Sequence, residues 1–238
     1  MKRDILIVPF NPKEELIIAC DNSGAIGKKV MDEVSVPYEI VGKLLFRVAY
    51  MECVAAGGIP FSIVLQNFNG DESWKPLVDG IQEGVSEAGI KELPITGSTE
   101  SNFSLIQSAT GMALLGKRQL GWSEPDFTQF TCNLAIIGKP LVGDEVVTQS
   151  KDVAPLQLFR WFAEQNDILS VVPVGSKGIA YEMSRIMPNR HDQLSFSSAL
   201  DLKKSSGPST CFIVVYKREF HEEVISMANK WIYGYTTI

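Results

Sequence analysis

The sequence predicts an α/β or α+β protein built in two units of similar size. Three observations carry that expectation. Short apolar runs of strand length alternate with amphipathic stretches of helical length. A change of composition over Gln119–Gln129 reads as a linker near the middle of the chain. The length of 238 residues, 45% hydrophobic and 21% charged, suits two domains with their own cores, placed at 1–120 and 121–238.

In the first unit, Asp4–Val8 and Glu15–Cys20 read as strands around the turn Asn11-Pro12-Lys13. The polar stretch Asp21-Asn22-Ser23-Gly24 follows, and it ends in Gly27-Lys28-Lys29. Glu39–Ala56 has helical length, with Ile40, Leu44, Val48, Met51 and Ala55 as the expected buried face. Gly57-Gly58 ends it and Pro60 blocks continuation. Phe61–Phe68 reads as a strand, Trp74–Gly89 as a helix, and Glu92–Thr96 as a short strand running into the loop Gly97-Ser98-Thr99-Glu100. Ala109–Leu115 is the last strand of the unit, closed by Gly116-Lys117-Arg118.

In the second unit, Cys132–Ile137 reads as a strand, Asp152–Gln165 as a helix capped by Asp152, and Leu169–Val174 as a strand. The turn Gly175-Ser176-Lys177-Gly178 leads into a helix over Ile179–Met187, stopped by Pro188. A weak strand over Gln193–Ser198, a strong one over Thr210–Tyr216 and a closing helix over Phe220–Trp231 complete the chain.

The net charge of −6 and a pI near 5.1 argue against a general nucleic-acid or membrane-surface binder, yet allow an anionic ligand in a local cationic pocket. No apolar run approaches the length of a membrane span, and the start is too short for a signal peptide. Cys20, Cys53, Cys132 and Cys211 form no metal-binding or disulfide pattern, so reduced, buried thiols in a cytoplasmic protein are expected. His191 and His221 have no nucleophilic context and read as surface residues.

Three loops carry the candidate chemistry. Asp21, followed by Asn22, Gly24, Gly27, Lys28 and Lys29, offers a carboxylate for Mg²⁺, glycine backbone open to phosphate, and two cations. A bare polar turn is the competing reading. Glu52, on a mainly apolar helix, is either on an exposed stripe or paired with a cation, and with Asp21 would suit Mg²⁺. Gly97, Ser98 and Thr99, with Glu100 as a third ligand, form an oxygen-rich loop after a strand. In the second unit, Gly175, Ser176, Lys177 and Gly178 precede a helix and could bind phosphate, although they are not a P-loop.

Taken in order, these segments resemble the aminoimidazole ribonucleotide synthetase-like ATP-binding superfamily. CDNSGAIGKK resembles its T-D-G-V-G-T-K segment, and VAYMECVAAGGIP its V-N-D-L-V-x-x-G-A-x-P helix, with Glu52 at the aspartate and Pro60 at the proline. PITGSTES resembles the G-G-[DE]-T loop, SATGMALLGK the G-T-A-L-G strand, and VGSKGIAYEMSRIMP the glycine-rich turn and helix T-G-G-G-L-x-x-N-L-x-R-x-L-P. Ser98 replaces the acidic residue of the third motif, and Ser176 and Lys177 replace two glycines of the last. Selenophosphate synthetase and the hydrogenase-maturation carbamoyl dehydratase are disfavoured, because Cys20 lies inside a strand and the chain given ends in Ile238.

The resemblance implies a two-domain PurM-like fold. Its N-terminal strands would form a dimeric β-barrel, with an α+β domain behind. It also implies ATP and Mg²⁺ as cofactors, a homodimer, and Asp21, Glu52 and Glu100 on the metal, with Asp21 the default general base. The expected activity is Mg-ATP-dependent phosphoryl transfer to a nucleoside-like acceptor; the chain resembles the short α-ribazole kinase branch, chiefly through its size and the TGSTES loop. A synthetase that activates an oxygen by phosphorylation, and a non-catalytic nucleotide-binding protein, are the alternatives.

Overall fold

The computed structural model describes residues 5–187 and 200–237. The chain divides into two compact units that part between Trp122 and Ser123.

The N-terminal unit is a five-stranded sheet with two helices on one face. The strands are β1 (Ile5–Pro9), β2 (Glu14–Gly24), the two-residue β3 (Ile26–Gly27) and β4 (Val34–Ser35), β5 (Ile59–Asn67), β6 (Ile95–Thr99) and β7 (Ala109–Gln119). The helices are α1 (Tyr38–Ala55) and α2 (Trp74–Glu87). The sheet runs β1-β2-β7-β5-β6, antiparallel except for the β5–β6 pair, while β3 and β4 pair separately.

Alternation along β2 sends Ile17 and Ala19 to the helix-covered face, opposite Gly116 and Leu114 of β7. Ile63, Leu65, Met112 and Leu114 complete that layer, each almost fully buried. The opposite face carries Leu6, Val8, Leu16, Ile18, Ala113, Leu115 and Val64; none of these is fully buried, and Leu6 is 58% exposed.

Helix α1 covers nearly the expected span and buries Met51 and Ala55 of the expected face, but its inward surface is wider and differently centred towards its N-terminal end. Val41, Leu45, Phe46, Ala49, Tyr50, Met51 and Cys53 are buried, while Ile40, Leu44 and Val48 are half-buried. The reason is that α1 is clamped between the sheet and α2, so most of its circumference is covered. The crossing with α2 is close because glycines meet backbone. A Cβ at Gly42 would strike the Leu77 carbonyl, and one at Gly80 the Glu39 carbonyl. Lys43 bridges the two helices to Glu83 at 2.6 Å and Glu87 at 3.2 Å.

The C-terminal end of α1 is held by Arg118. Its Nε donates to Glu15 at 2.7 Å and its Nη1 to the Ala56 carbonyl at 2.7 Å, and the guanidinium lies over the Trp122 ring. The Arg118 and Glu15 side chains are only 9% and 16% exposed. Arg118→Met should therefore cost about 3 kcal/mol in urea unfolding, because it strands a sheltered carboxylate as well as a helix-end carbonyl. Adding Glu15→Gln should recover part of that loss.

The C-terminal unit is a four-stranded antiparallel sheet in the order β11-β8-β10-β9. Its elements are β8 (Cys132–Ile137), α3 (Glu145–Thr148), α4 (Leu156–Ala163), β9 (Ile168–Pro173), α5 (Gly178–Ile186), β10 (Phe212–Lys217), α6 (His221–Ala228) and β11 (Ile232–Thr237). Strand β8 is buried on both faces. Leu134, Ile136, Ile213 and Val215 pack with Ile179, Met183 and Ile186 of α5, whereas Phe212 meets Phe159 and Phe162 of α4.

Several boundaries differ from the sequence expectation. Helix α4 begins only at Leu156, after Pro155, and Asp152 pairs with Lys139 at 2.8 Å instead of capping it. The closing helix stops at Ala228, where Asn229 takes a positive φ, and β11 follows it. His221 is not a loose surface residue: its Nδ1 lies 3.0 Å from the Tyr216 hydroxyl. The reading of Gln193–Ser198 as a strand, and His191, lie outside the described residues.

Candidate functional site

Asp21 lies inside β2 rather than in a loop beyond it. The strand continues through Asp21-Asn22-Ser23-Gly24 because β7 pairs with it to the end: Asp21 opposite Met112, Ser23 opposite Thr110, Gly24 opposite Ala109. The same holds for Gly97, Ser98 and Thr99, which belong to β6 and pair with Leu65, Gln66 and Asn67. Local polarity suggested turns, but ladder hydrogen bonds along β7 and β5 prevail.

Strand alternation then splits the candidates between two faces. Asp21, Gly97 and Thr99 point to the helix side, and Asn22, Gly24 and Ser98 to the other. Asp21 and Gly97 share a row, Asp21-Met112-Leu65-Gly97, but two strands separate them. Gly97 has a packing reason to be glycine, since a Cβ there would strike the Leu65 carbonyl.

Burial decides the character of Asp21. It stands between buried Ala19 and half-buried Ser23, beside Met112, and that apolar setting pushes its carboxyl up to about 7. A backbone hydrogen bond from Asn22 opposes the shift only in part. Neither cause involves a neighbouring cation.

Glu52 is half-buried on α1, on the stripe that continues from Leu44 and Val48. Glu100 follows β6, where its Oε1 accepts the Asn102 N–H at 2.7 Å and the Phe103 N–H at 3.2 Å, which hold its carboxyl below the usual range. Among the described residues, no three or more His, Cys, Asp or Glu side chains are grouped so as to hold a metal ion. Asp21, Glu52 and Glu100 therefore do not form a group of three able to hold a metal ion, and Glu100 is turned into its own loop.

The cations also differ from each other. Lys28 is exposed. Lys29 reaches across to two other segments, donating from Nζ to the carbonyl of Leu105, before β7, at 2.9 Å and to that of Phe68, just after β5, at 3.4 Å.

Two networks at this end of the sheet have no counterpart in the sequence reading. One centres on Asn67, whose Oδ1 accepts from the Asn69 N–H, the Asn69 Nδ2 and the Ser73 hydroxyl. Asn69 Nδ2 also donates to Thr110 Oγ1 at 2.8 Å, and Asn67 Nδ2 to Thr99 Oγ1 at 3.2 Å. The other centres on Asp32, which accepts the Ser108 N–H at 2.6 Å, the Ser108 hydroxyl at 2.7 Å and the Lys29 N–H at 2.8 Å. Burial opposes the Asp32 charge, but these donors outweigh it and hold the carboxyl below its ordinary range. The turn signal Asn-x-Asn-Gly at 67–70 could have pointed to the first network; nothing local marks the second.

In the C-terminal unit, Gly175–Lys177 forms the turn before α5, and the helix begins at Gly178. Residues 201–206 lie against it: the Ala180 N–H donates to the Leu202 carbonyl at 2.8 Å and the Ser206 N–H to the Gly175 carbonyl at 3.1 Å. Lys177 folds back on Tyr181, with its Nζ 4.4 Å from the ring centroid. One early amide of α5 is thus already satisfied, while the space around Gly175 is open.

No protein-family model and no curated protein matches the sequence. Solved structures do. T. maritima PurL complexed with AMPPCP aligns with a TM-score of 0.58 and 12% identity, over 98% of this chain and 42% of that one. The chain therefore spans well under half of PurL. Thiamine monophosphate kinase from Aquifex aeolicus aligns at 0.59 and 12%, over 98% and 88%. A HypE–HypF complex structure aligns at 0.61 and 13%, over 99% and 87%. The chain has the PurM-like fold. In this chain the first motif of the resemblance runs from the end of β2 through β3 into the turn after it, the second covers the end of α1 and the start of β5, and the third lies in β6 and the turn after it. Among the described residues, no helix is long and apolar enough to cross a membrane.

Proposed function

We propose that this PurM-like chain is a Mg-ATP-dependent small-molecule kinase whose site is organised around Asp21. The observation that carries the reading is Asp21 itself: a desolvated carboxylate held in a regular strand. Structures of the same fold support it, among them AaThiL complexed with AMPPCP and TMP.

The donor set fits Mg²⁺ in a restricted way. Magnesium commonly takes one or two protein carboxylates and completes its shell with phosphate oxygens and water. Asp21 offers one such ligand, and among the described residues it does not form a group of three with Glu52 and Glu100. Bound there with nucleotide, the ion would supply charge neutralisation on the transferred phosphoryl group. The chain's own contribution is to hold the carboxylate fixed and partly desolvated through the β2–β7 register, and to offer Lys28 and the Gly24 backbone to phosphate oxygens. The Gly175–Gly178 turn, with Ser176 and Lys177, is our candidate for a second anion or for the acceptor.

The uncovered apolar sheet face, with Leu6, Val8, Ile18 and Leu115, supports a homodimer closed through the N-terminal strands. The acceptor class is nucleoside-like, and α-ribazole is the first compound to test.

An ATP-consumption assay across nucleosides, with α-ribazole and thiamine monophosphate included, should show turnover with one acceptor and phosphate retained on its product. Release of free phosphate would instead favour a synthetase, in keeping with the likeness to PurL. Nucleotide binding without turnover on any acceptor would overturn the kinase reading.

A further inference from the structure

The sequence separates residues 24–33 from residues 100–108 by most of the N-terminal unit, yet the structure cross-ties them at several points. The Lys29 amine donates to the Leu105 carbonyl at 2.9 Å, and Gln107 Nε2 donates to the Met31 carbonyl at 2.8 Å. Asp32 takes both the backbone and the hydroxyl of Ser108, while Ser108 is 1% exposed and its Oγ lies 2.9 Å from the Tyr38 hydroxyl. The Ser108 carbonyl in turn accepts the Ala25 N–H at 2.8 Å.

Ala25 carries a φ of 56°, a left-handed conformation that costs a non-glycine residue energy and persists only where surroundings over-determine it. Here the Glu33 and Val34 amides on its carbonyl, with the Ser108 carbonyl on its N–H, do so. The bases of the two segments are thus locked, while their apolar tips stand in solvent: Val30 is 90% exposed, Phe103 79% and Ile106 71%.

We propose that Lys29 and Asp32 are positioning residues that bind segments 24–33 and 100–108 into one unit, so that a phosphate-bearing ligand engaging the first is registered in the second. Lys29 is then a tie and not a phosphate contact. Its charge lies against two carbonyl oxygens, and the amide donors that approach Asp32 come from both segments. The ligand half of this inference rests on the nucleotide reading above; the tie itself does not.

Hydrogen exchange on the full chain tests it. Without ligand, Lys29→Met should speed amide exchange in residues 101–107 by about tenfold, since a hydrogen bond from a charged donor is lost across the tie. Lys29→Arg should restore protection. With Mg²⁺ and AMPPCP, the wild type should gain protection in both segments together, whereas Lys29→Met should gain it in 24–33 only.

Unchanged exchange in 101–107 on Lys29→Met overturns the tie. Weaker nucleotide binding with unchanged ligand-free exchange would make Lys29 a direct phosphate contact and overturn it equally. If the wild type binds no nucleotide, the kinase reading fails, and the ligand-free comparison still decides the tie. Asp32→Asn weakens the acceptor of three donors at once and risks the fold, so it serves as a second variant, read only where its far-ultraviolet circular dichroism matches wild type.

Discussion

Asp21→Asn should abolish turnover and at the same time stabilise the fold above neutral pH. The direction follows from burial. An aspartate in the unfolded chain loses its proton near 4, whereas folded Asp21 holds it to about 7. Its folded value is raised, so the unfolded state ionises first, and folding stability falls as pH climbs between those values. The penalty is absent below about pH 4, grows through pH 5 and 6, and levels off above about pH 7. Each unit of separation is worth about 1.4 kcal/mol; with partial solvent access to the carboxylate, about 2 kcal/mol is a fair expectation at pH 8. Asparagine, being neutral, escapes it. Urea unfolding of both proteins at pH 4.5 and pH 8, beside the ATP-consumption assay, checks both halves. Equal stability at both pH values would show that Asp21 is solvated in the fold. Full activity of the variant would remove it from the site.

Gly80→Ala should be among the most damaging single changes in the N-terminal unit. In an exposed helix, alanine is better than glycine by about 1 kcal/mol. At position 80 the sign reverses, because the new methyl would occupy the space of the Glu39 carbonyl oxygen on α1. Backbone cannot move aside as a side chain can, so the helices must separate. The lost packing around Leu77, Ile81, Leu45 and Phe46, all almost fully buried, should cost about 3 kcal/mol or more. Gly84→Ala is the control. Its methyl would meet chiefly the ring of Phe46, a side chain rather than backbone, so the loss should be smaller. Chemical denaturation of the two variants against wild type measures the difference; equal stabilities would mean that the α1–α2 crossing is looser than it stands.

Much of the architecture was legible because apolar periodicity is local. The spans of α1, α2, α5 and β8 follow from spacing and from the glycines and prolines at their ends. The site was less legible, for a reason visible at Asp21 and Ser98. Both sit in polar stretches that look like turns, yet each is held in a strand by a partner distant in the chain. Pairing of that kind depends on tertiary contacts, and once it is fixed, alternation alone sends Asp21 and Ser98 to opposite faces. Asp32 shows the same limit. Its carboxylate has no motif around it, and its partners at Ser108 become neighbours only after folding.

The position of β7 bears on how the N-terminal unit comes into being. This strand joins β2 to β5 in the middle of the sheet, yet it is the last of the unit to be synthesised. Ile17 must wait for Gly116, about a hundred residues later, before its row can close. During translation, β2 and β5 would each present an unpaired edge flanked by apolar side chains, the condition that favours association with other chains. Fragments ending before Ala109 should therefore aggregate, and a ribosome-stalled series should gain protease resistance abruptly once Gln119 has cleared the exit tunnel.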